Sequence, residues 1–267
     1  MRNVEWLRDT RYEVIPTGSI EDAIAASVST DVPITVTASP VKGLDPTLDL
    51  AERLTKRGYR VVPHLSARLV VDRAHLEVIV DRLVTAGVDD VFVPAGDADP
   101  PAGQYDGALP LLAELTALGR PFRHVGITGY PQSHPSIDDD IAVQAMWDKR
   151  AHATYIVSNL CFDPKVLAGW VRRVRRRGVD LPIRIGLAGP IERTKLLRMA
   201  GKIGVAESAR FLGKHLSWFA RLATSYSPDR LLDRVAPELS APDLAVTGLH
   251  VFTFNQVGET ERWRLSS

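Results

Sequence analysis

A (β/α)8 barrel is the fold class that this sequence predicts, and three observations predict it. Eight short β-rich runs follow one another along the chain, and helical pattern separates each from the next. Nearly every run ends in a polar or glycine-rich signature. The length of 267 residues suits one barrel of about 250 residues. Strand alternating with helix implies a parallel sheet, because parallel neighbours need a crossover between them. In such a barrel the chemistry gathers at the carboxyl ends of the strands.

In chain order, the β-rich runs are residues 12–16, 34–37, 60–64, 91–97, 125–130, 155–159, 183–187 and 250–255. Between them the helices show in the spacing. Leu76, Ile79, Val80, Leu83 and Val84 make one apolar stripe, closed by Gly87. Leu111, Leu115 and Leu118 repeat the pattern before Gly119-Arg120-Pro121, and Val166, Trp170, Val171 and Val174 repeat it before Gly178. The arginines of residues 171–177 lie off that stripe, so they read as a solvated helix face and not as a nucleic-acid surface. The interval from about 190 to 243 is the longest and carries extra helical pattern between strands seven and eight, one stripe over 211–222 and another over 229–235. Nothing reads as a linker, so the expectation is a single barrel domain over residues 1–267.

A formal net charge of +1 gives no reason to expect nucleic acid or an anionic membrane as partner. Cys161 is the sole cysteine, so no internal disulfide forms and a reducing compartment fits. Residues 1–6 lack the apolar core of a secretory signal, and no run of about 20 apolar residues exists, so the expected location is cytoplasmic. None of the seven lysines falls at a strand's carboxyl end, which disfavours Schiff-base chemistry. The apolar segment 215–222 has two readings, packing on the barrel or on a second copy of the chain.

Several mechanisms lack their motifs. There is no G-x-x-x-x-G-K-S/T, no G-x-G-x-x-G and no G-x-S-x-G. The first strand has no H-x-H pair, and the spacing of His64, His134 and His250 does not define a metal site, so no metal is expected. Positive signals cluster at strand ends, where Glu13, His64, Asp97, Tyr130, Asn159 and Asn255 stand. Glu13, inside the barrel among apolar side chains, is expected to have a raised pKa and to serve as general acid. Gly96-Asp97 puts a carboxylate on a glycine turn. Gly129-Tyr130-Pro131-Gln132-Ser133-His134-Pro135 is a rigid aromatic loop, and the last strand alternates aromatic residues up to Phe252 and Phe254.

Taken in order, these segments resemble the methylenetetrahydrofolate reductase family. The matching pieces are Tyr12-Glu13-x-x-Pro16, Pro63-His64-Leu65, Gly96-Asp97 with Pro100-Pro101, and Gly129-Tyr130-Pro131-x-x-His134-Pro135. They continue with Asn159-Leu160-Cys161-Phe162-Asp163 and Gly248-Leu249-His250-Val251-Phe252-Thr253-Phe254-Asn255. The resemblance implies reduction of 5,10-methylenetetrahydrofolate to 5-methyltetrahydrofolate with electrons from a nicotinamide. It implies Glu13 and Asp97 as catalytic residues, with Glu13 the acid that helps open the imidazolidine ring to an iminium. Asp97, Asn159 and Phe252 would bind substrate, and His64, Gly96, Tyr130 and His134 would bind cofactor. The other class open to the sequence is a pterin- or folate-binding barrel without reductase activity, such as a folate sensor or a methyl-transfer partner.

Members of that family hold FAD in the barrel mouth, and this chain departs from them there. Ala95 stands where an arginine is usual, Ala38-Ser39-Pro40 replaces a Tyr-Gly-Ala segment, and residues 147–153 lack the Asp-Ala-Gly-Ala stretch. Each lost charge-assisted contact is worth roughly 1.5–3 kcal/mol, so two would weaken flavin binding about a hundredfold or more. The expectation is hydride transfer directly from NADH without bound FAD. With no dinucleotide fingerprint to carry a ribose-reading residue, NADPH stays open.

Overall fold

Alternate residues of the first strand face different environments, and that parity organises the molecule. The computed structural model describes residues 5–131, 139–190 and 226–267. Strand β1 (Thr10–Val14) buries Thr10, Tyr12 and Val14 and leaves Arg11 and Glu13 less buried. Successive side chains on a strand point to opposite faces. Tyr12 packs outward and its hydroxyl donates to Glu261 Oε2 on the last helix. Arg11 points the other way and reaches across the barrel to strands four and six.

The elements follow the expected order. They run α1 (Ile20–Ser27), β2 (Ile34–Val36), α2 (Asp45–Lys56), β3 (Val61–Pro63), α3 (Arg73–Ala86), β4 (Asp90–Phe92) and α4 (Ala108–Ala117). After these come β5 (His124–Gly129), α5 (Asp139–Lys149), β6 (Tyr155–Ser158), α6 (Pro164–Arg176), β7 (Ile183–Ala188), α7 (Pro228–Leu239), β8 (Val246–Phe252) and α8 (Val257–Ser266). All pairings are parallel, in the order β3-β2-β1-β8-β7-β6-β5-β4. A bridge between His64 and Phe92 joins the two ends, with Leu65 N–H donating to Phe92 O at 2.8 Å. The chain is therefore a (β/α)8 barrel.

β1 lies two residues earlier than its sequence run, and β4 and β8 differ from theirs for physical reasons. β4 stops at Phe92, short of Asp97. Pro94 has no N–H to continue the ladder, and the carbonyls of Pro94 and Ala95 instead accept from Ala67 and Arg68. Gly96, at φ 87°, completes the turn away from the sheet. β8 begins four residues before the predicted run, at Val246, because Val246 and Gly248 are not aromatic yet pair with Ile183 and Arg184 of β7.

The helix signals read as expected except at Val84 and Val166, which the spacing places on the apolar stripes but which are exposed at the edges of the buried faces of α3 and α6. Asp72 and Asp163 cap α3 and α6, and Gly87 closes α3 in the left-handed conformation. On α6 the buried side are Leu167, Ala168, Trp170, Val171 and Val174. Its arginines face outward, but Arg175 departs from a purely solvated role by donating to the carbonyls of Val179 and Leu244. The 229–235 stripe lies on α7, while the 211–222 stripe lies outside the described residues.

Two apolar clusters result. The large one lies between strands and helices and includes Tyr12, Ile34, Leu65, Trp170 and Leu249. The small one, Val62, Phe92, Tyr155 and Val157, fills the barrel interior. Beneath the site, at the amino ends of the strands, Arg11 Nη1 pairs with Asp90 Oδ2 at 2.8 Å and donates to the Tyr155 hydroxyl at 2.9 Å. That hydroxyl donates in turn to Asp90 Oδ1 at 2.8 Å. Burial holds the Asp90 carboxyl above the ordinary range despite Arg11, while Tyr155 and Asp90 keep Arg11 charged despite its own burial. Gly126 makes this layer possible, since a Cβ there would lie 2.4 Å from the Tyr155 ring.

Candidate active site

Glu13 is the fourth residue of β1, so its carboxyl sits toward the carboxyl end of the barrel interior. Two imidazoles approach the same oxygen. His250 Nε2 lies 2.9 Å from Glu13 Oε2, and His64 Nε2 lies 3.6 Å from it. His250 comes from the inward-facing set of β8 and is 1% exposed; His64 follows β3 directly. Aromatic rings fix both imidazoles. Phe92 is 4.8 Å from His64, and Phe252 meets His250 edge-on at 4.9 Å. Burial is the main force that pushes His64 down to about 4, so this imidazole is neutral beside Glu13 at ordinary pH.

The backbone around Glu13 is laced to the end of β8. Thr253 donates to the Glu13 carbonyl through both its hydroxyl, at 2.7 Å, and its N–H, at 3.3 Å. Asn255 Oδ1 accepts from Ile15 N–H at 2.7 Å, and its Nδ2 donates to Ile15 O at 2.9 Å. Phe254 and Asn255 adopt the left-handed conformation to make this clip. Asn255, expected at the mouth, therefore spends its side chain on holding β1 in place.

The remaining predicted positions gather on other strand ends. Asp97 is exposed on the turn after β4, and Tyr130 follows β5 directly. Burial first, and then the nearby Asp97 carboxylate, raise the Tyr130 phenol above its ordinary range, so these two residues share one neighbourhood. Asn159 follows β6 and its Oδ1 accepts from Leu160 N–H at 2.8 Å. Phe252 is the register partner of Glu13. Gly96 approaches Ser66, whose Cβ would stand 3.0 Å from a Cβ at that position. His134 lies outside the described residues. A cavity of about 560 Å³ opens between the start of α6 and the start of α7, and Phe162, Lys165, Tyr226 and Arg230 help line it. Neither Glu13 nor its two imidazoles lines that cavity.

His250 is the residue that sequence reasoning undervalued. The spacing Gly248-x-His250-x-Phe252 puts it on the same inward parity as its neighbours, and that was the available signal. Arg11, Asp90 and Tyr155 were likewise unread, because an interior salt bridge spanning three strands has no local pattern. Among the described residues, no group of three or more His, Cys, Asp or Glu is arranged to hold a metal ion, and no helix is long and apolar enough to cross a membrane.

The mouth offers little to a flavin pyrophosphate. Pro40 has no N–H. The amides of Lys42 and Gly43 in that loop are already engaged, both donating to Ser39 O, at 3.2 and 2.9 Å. Ala95 supplies no charge, and its carbonyl already accepts from Arg68. These residues do not fit the cradle of charge and free amides that a bound diphosphate needs.

A parallel (β/α)8 barrel with a hydrogen-bonded carboxyl at its carboxyl-terminal mouth defines the general class. The family is defined by the sequence. The model of the methylenetetrahydrofolate reductase family matches residues 22–261, and this chain belongs to that family. Among solved structures it is similar to a Burkholderia cenocepacia J2315 protein described as a "putative lyase/mutase", at 14% identity and a TM-score of 0.53. The match covers 96% of this chain and 79% of that one. At that identity the likeness bears on the fold alone.

Proposed function

We propose that this chain reduces 5,10-methylenetetrahydrofolate to 5-methyltetrahydrofolate, taking hydride from NADH or NADPH. The observation that carries the reading is Glu13, a carboxyl held inside the barrel mouth by His250, in a chain of this family. Opening the imidazolidine ring breaks a carbon–nitrogen bond and leaves an iminium carbon able to accept hydride. The departing nitrogen needs a proton, and Glu13 would supply it. Asp97, Tyr130 and Asn159 stand on neighbouring strand ends, where they would receive the pterin and the nicotinamide.

The reading includes direct transfer, without resident FAD. Its support is the donor set around residues 38–43 and 95, which does not suit a diphosphate. The test is consumption of NADH, followed at its own absorbance, by purified protein with and without methylenetetrahydrofolate. Oxidation of the nicotinamide only when the folate is present, with methyltetrahydrofolate formed in equal amount, is the expected result. Folate binding without nicotinamide consumption would refute the reductase reading and leave a pterin-binding barrel.

A further inference from the structure

We propose that His250 is a positioning residue that decides which oxygen of Glu13 carries the acidic hydrogen. The proposal rests on the reading of Glu13 as a general acid. His250 Nδ1 is buried and has no hydrogen-bond partner among the described residues. A buried N–H without an acceptor costs more than a bare lone pair on a ring nitrogen. The geometry thus assigns the hydrogen to Nε2, where it donates to Glu13 Oε2 at 2.9 Å.

That assignment has a consequence for the carboxyl. Oε2 is the oxygen that both imidazoles face, whereas the described residues give Oε1 no partner. A protonated carboxyl has one hydroxyl oxygen and one that only accepts. With Oε2 occupied as acceptor, the hydrogen resides on Oε1, the open oxygen of a side chain that is 16% exposed. In the step, the O–H bond at Oε1 breaks and a new N–H bond forms on the departing nitrogen, whose carbon–nitrogen electron pair becomes the N–H pair. The carboxylate left behind keeps the His250 hydrogen bond, which stabilises its charge. The charged and titratable groups facing Glu13 are His250 from β8, His64 from the end of β3, and Arg11 one layer deeper on β1, itself paired with Asp90.

The test uses the intact chain with His250→Gln, His250→Asn and His250→Leu. A glutamine amide can place a donor where Nε2 stands, whereas asparagine is too short and leucine has none. Loss of a hydrogen bond to a charged group corresponds to roughly 10–100-fold. The Leu and Asn variants should lose about that much kcat with little change in folate KM. The alkaline limb of the kcat profile should move up by about one pH unit or more, because the carboxylate has lost a stabilising donor. The Gln variant should restore both. A limb that stays put in the Leu and Asn variants, or a Gln variant no better than Leu, would overturn the proposal. A second measurement needs neither substrate nor turnover: the titration of the Glu13 side-chain carboxyl, followed by carbon-13 NMR, should move up in Asn and Leu and return in Gln. An unmoved titration overturns the pairing itself. Absence of any folate reductase activity in the wild type, with the titration shifting as expected, would instead fault the reading on which the proposal rests.

Discussion

Replacing His64 by leucine should make the protein less sensitive to acid, and the size of the effect follows from where the ring sits. The residue is 8% exposed, against Phe92, and burial pushes its pKa from an ordinary 6.5 to about 4. Above pH 6.5 the imidazole is neutral in both the folded and the unfolded chain and contributes no pH dependence. As pH falls below 6.5 the unfolded chain takes up a proton that the folded chain refuses until about pH 4. Stability is lost through that window and the loss levels off beneath it. At 1.36 kcal/mol for each pH unit, the fall from 6.5 to about 4 amounts to about 3 kcal/mol. Urea melts of wild type and His64→Leu at intervals from pH 7.5 to 4 measure it. Other carboxylates titrate in both proteins and largely cancel in the difference. Repeating the pair in a Glu13→Gln background separates the neighbouring carboxyl, which lies 3.6 Å away. Stability curves that run parallel between pH 6.5 and 4 would refute the reasoning.

Glu13→Gln should keep folate binding, measured by calorimetry, and lower kcat by about 10²–10⁴, as loss of a general acid does. Arg11→Met strands Asp90 in the barrel interior and should cost about 3–5 kcal/mol in denaturant melts, since it removes one partner of a buried pair. Gly126→Ala should also destabilise, because its Cβ would fall 2.4 Å from the Tyr155 ring; pairing it with Tyr155→Phe, which removes the nearby hydroxyl but not the ring, should recover little, and a melt unchanged from wild type would contradict the geometry.

The strands and their order were legible because apolar β-branched runs bounded by glycine and proline are local signals. Their ends were less so. The 91–97 run continues in sequence, but Pro94 ends the ladder and the amides of Ala67 and Arg68 capture the carbonyls of Pro94 and Ala95, a contact that exists only once β3 and β4 meet. Glu13 stood out since a carboxyl within an apolar strand is unusual. Its pairing with His250 could not be read the same way: the two are 237 residues apart, and only closure of the barrel brings β8 beside β1. Asn255 shows the converse. Its position at a strand end suggested a ligand, yet two backbone groups of Ile15 occupy its amide. Polar residues at strand ends thus divide between chemistry and lacing, and hydrogen-bond partners alone tell them apart.

The flavin question turns on how many donors are missing, and adding them back tests that. Ala95→Arg would restore one cation beside the Gly96-Asp97 turn, and a single charge-assisted contact of roughly 1.5–3 kcal/mol corresponds to about 10–100-fold. It would not free the amides of Lys42 and Gly43, which remain bound to Ser39 O. Nor would it give residue 40 an N–H. Ala95→Arg alone should therefore tighten FAD binding by no more than about 100-fold. The double variant with Pro40→Ala should gain further, because it adds a donor and loosens the turn. Flavin fluorescence titrations on the wild type and both variants, with absorbance of the purified proteins, measure the series. Wild-type protein that retains stoichiometric FAD through purification, and loses activity when stripped of it, would show that this mouth holds a flavin by other contacts and would end the direct-transfer reading.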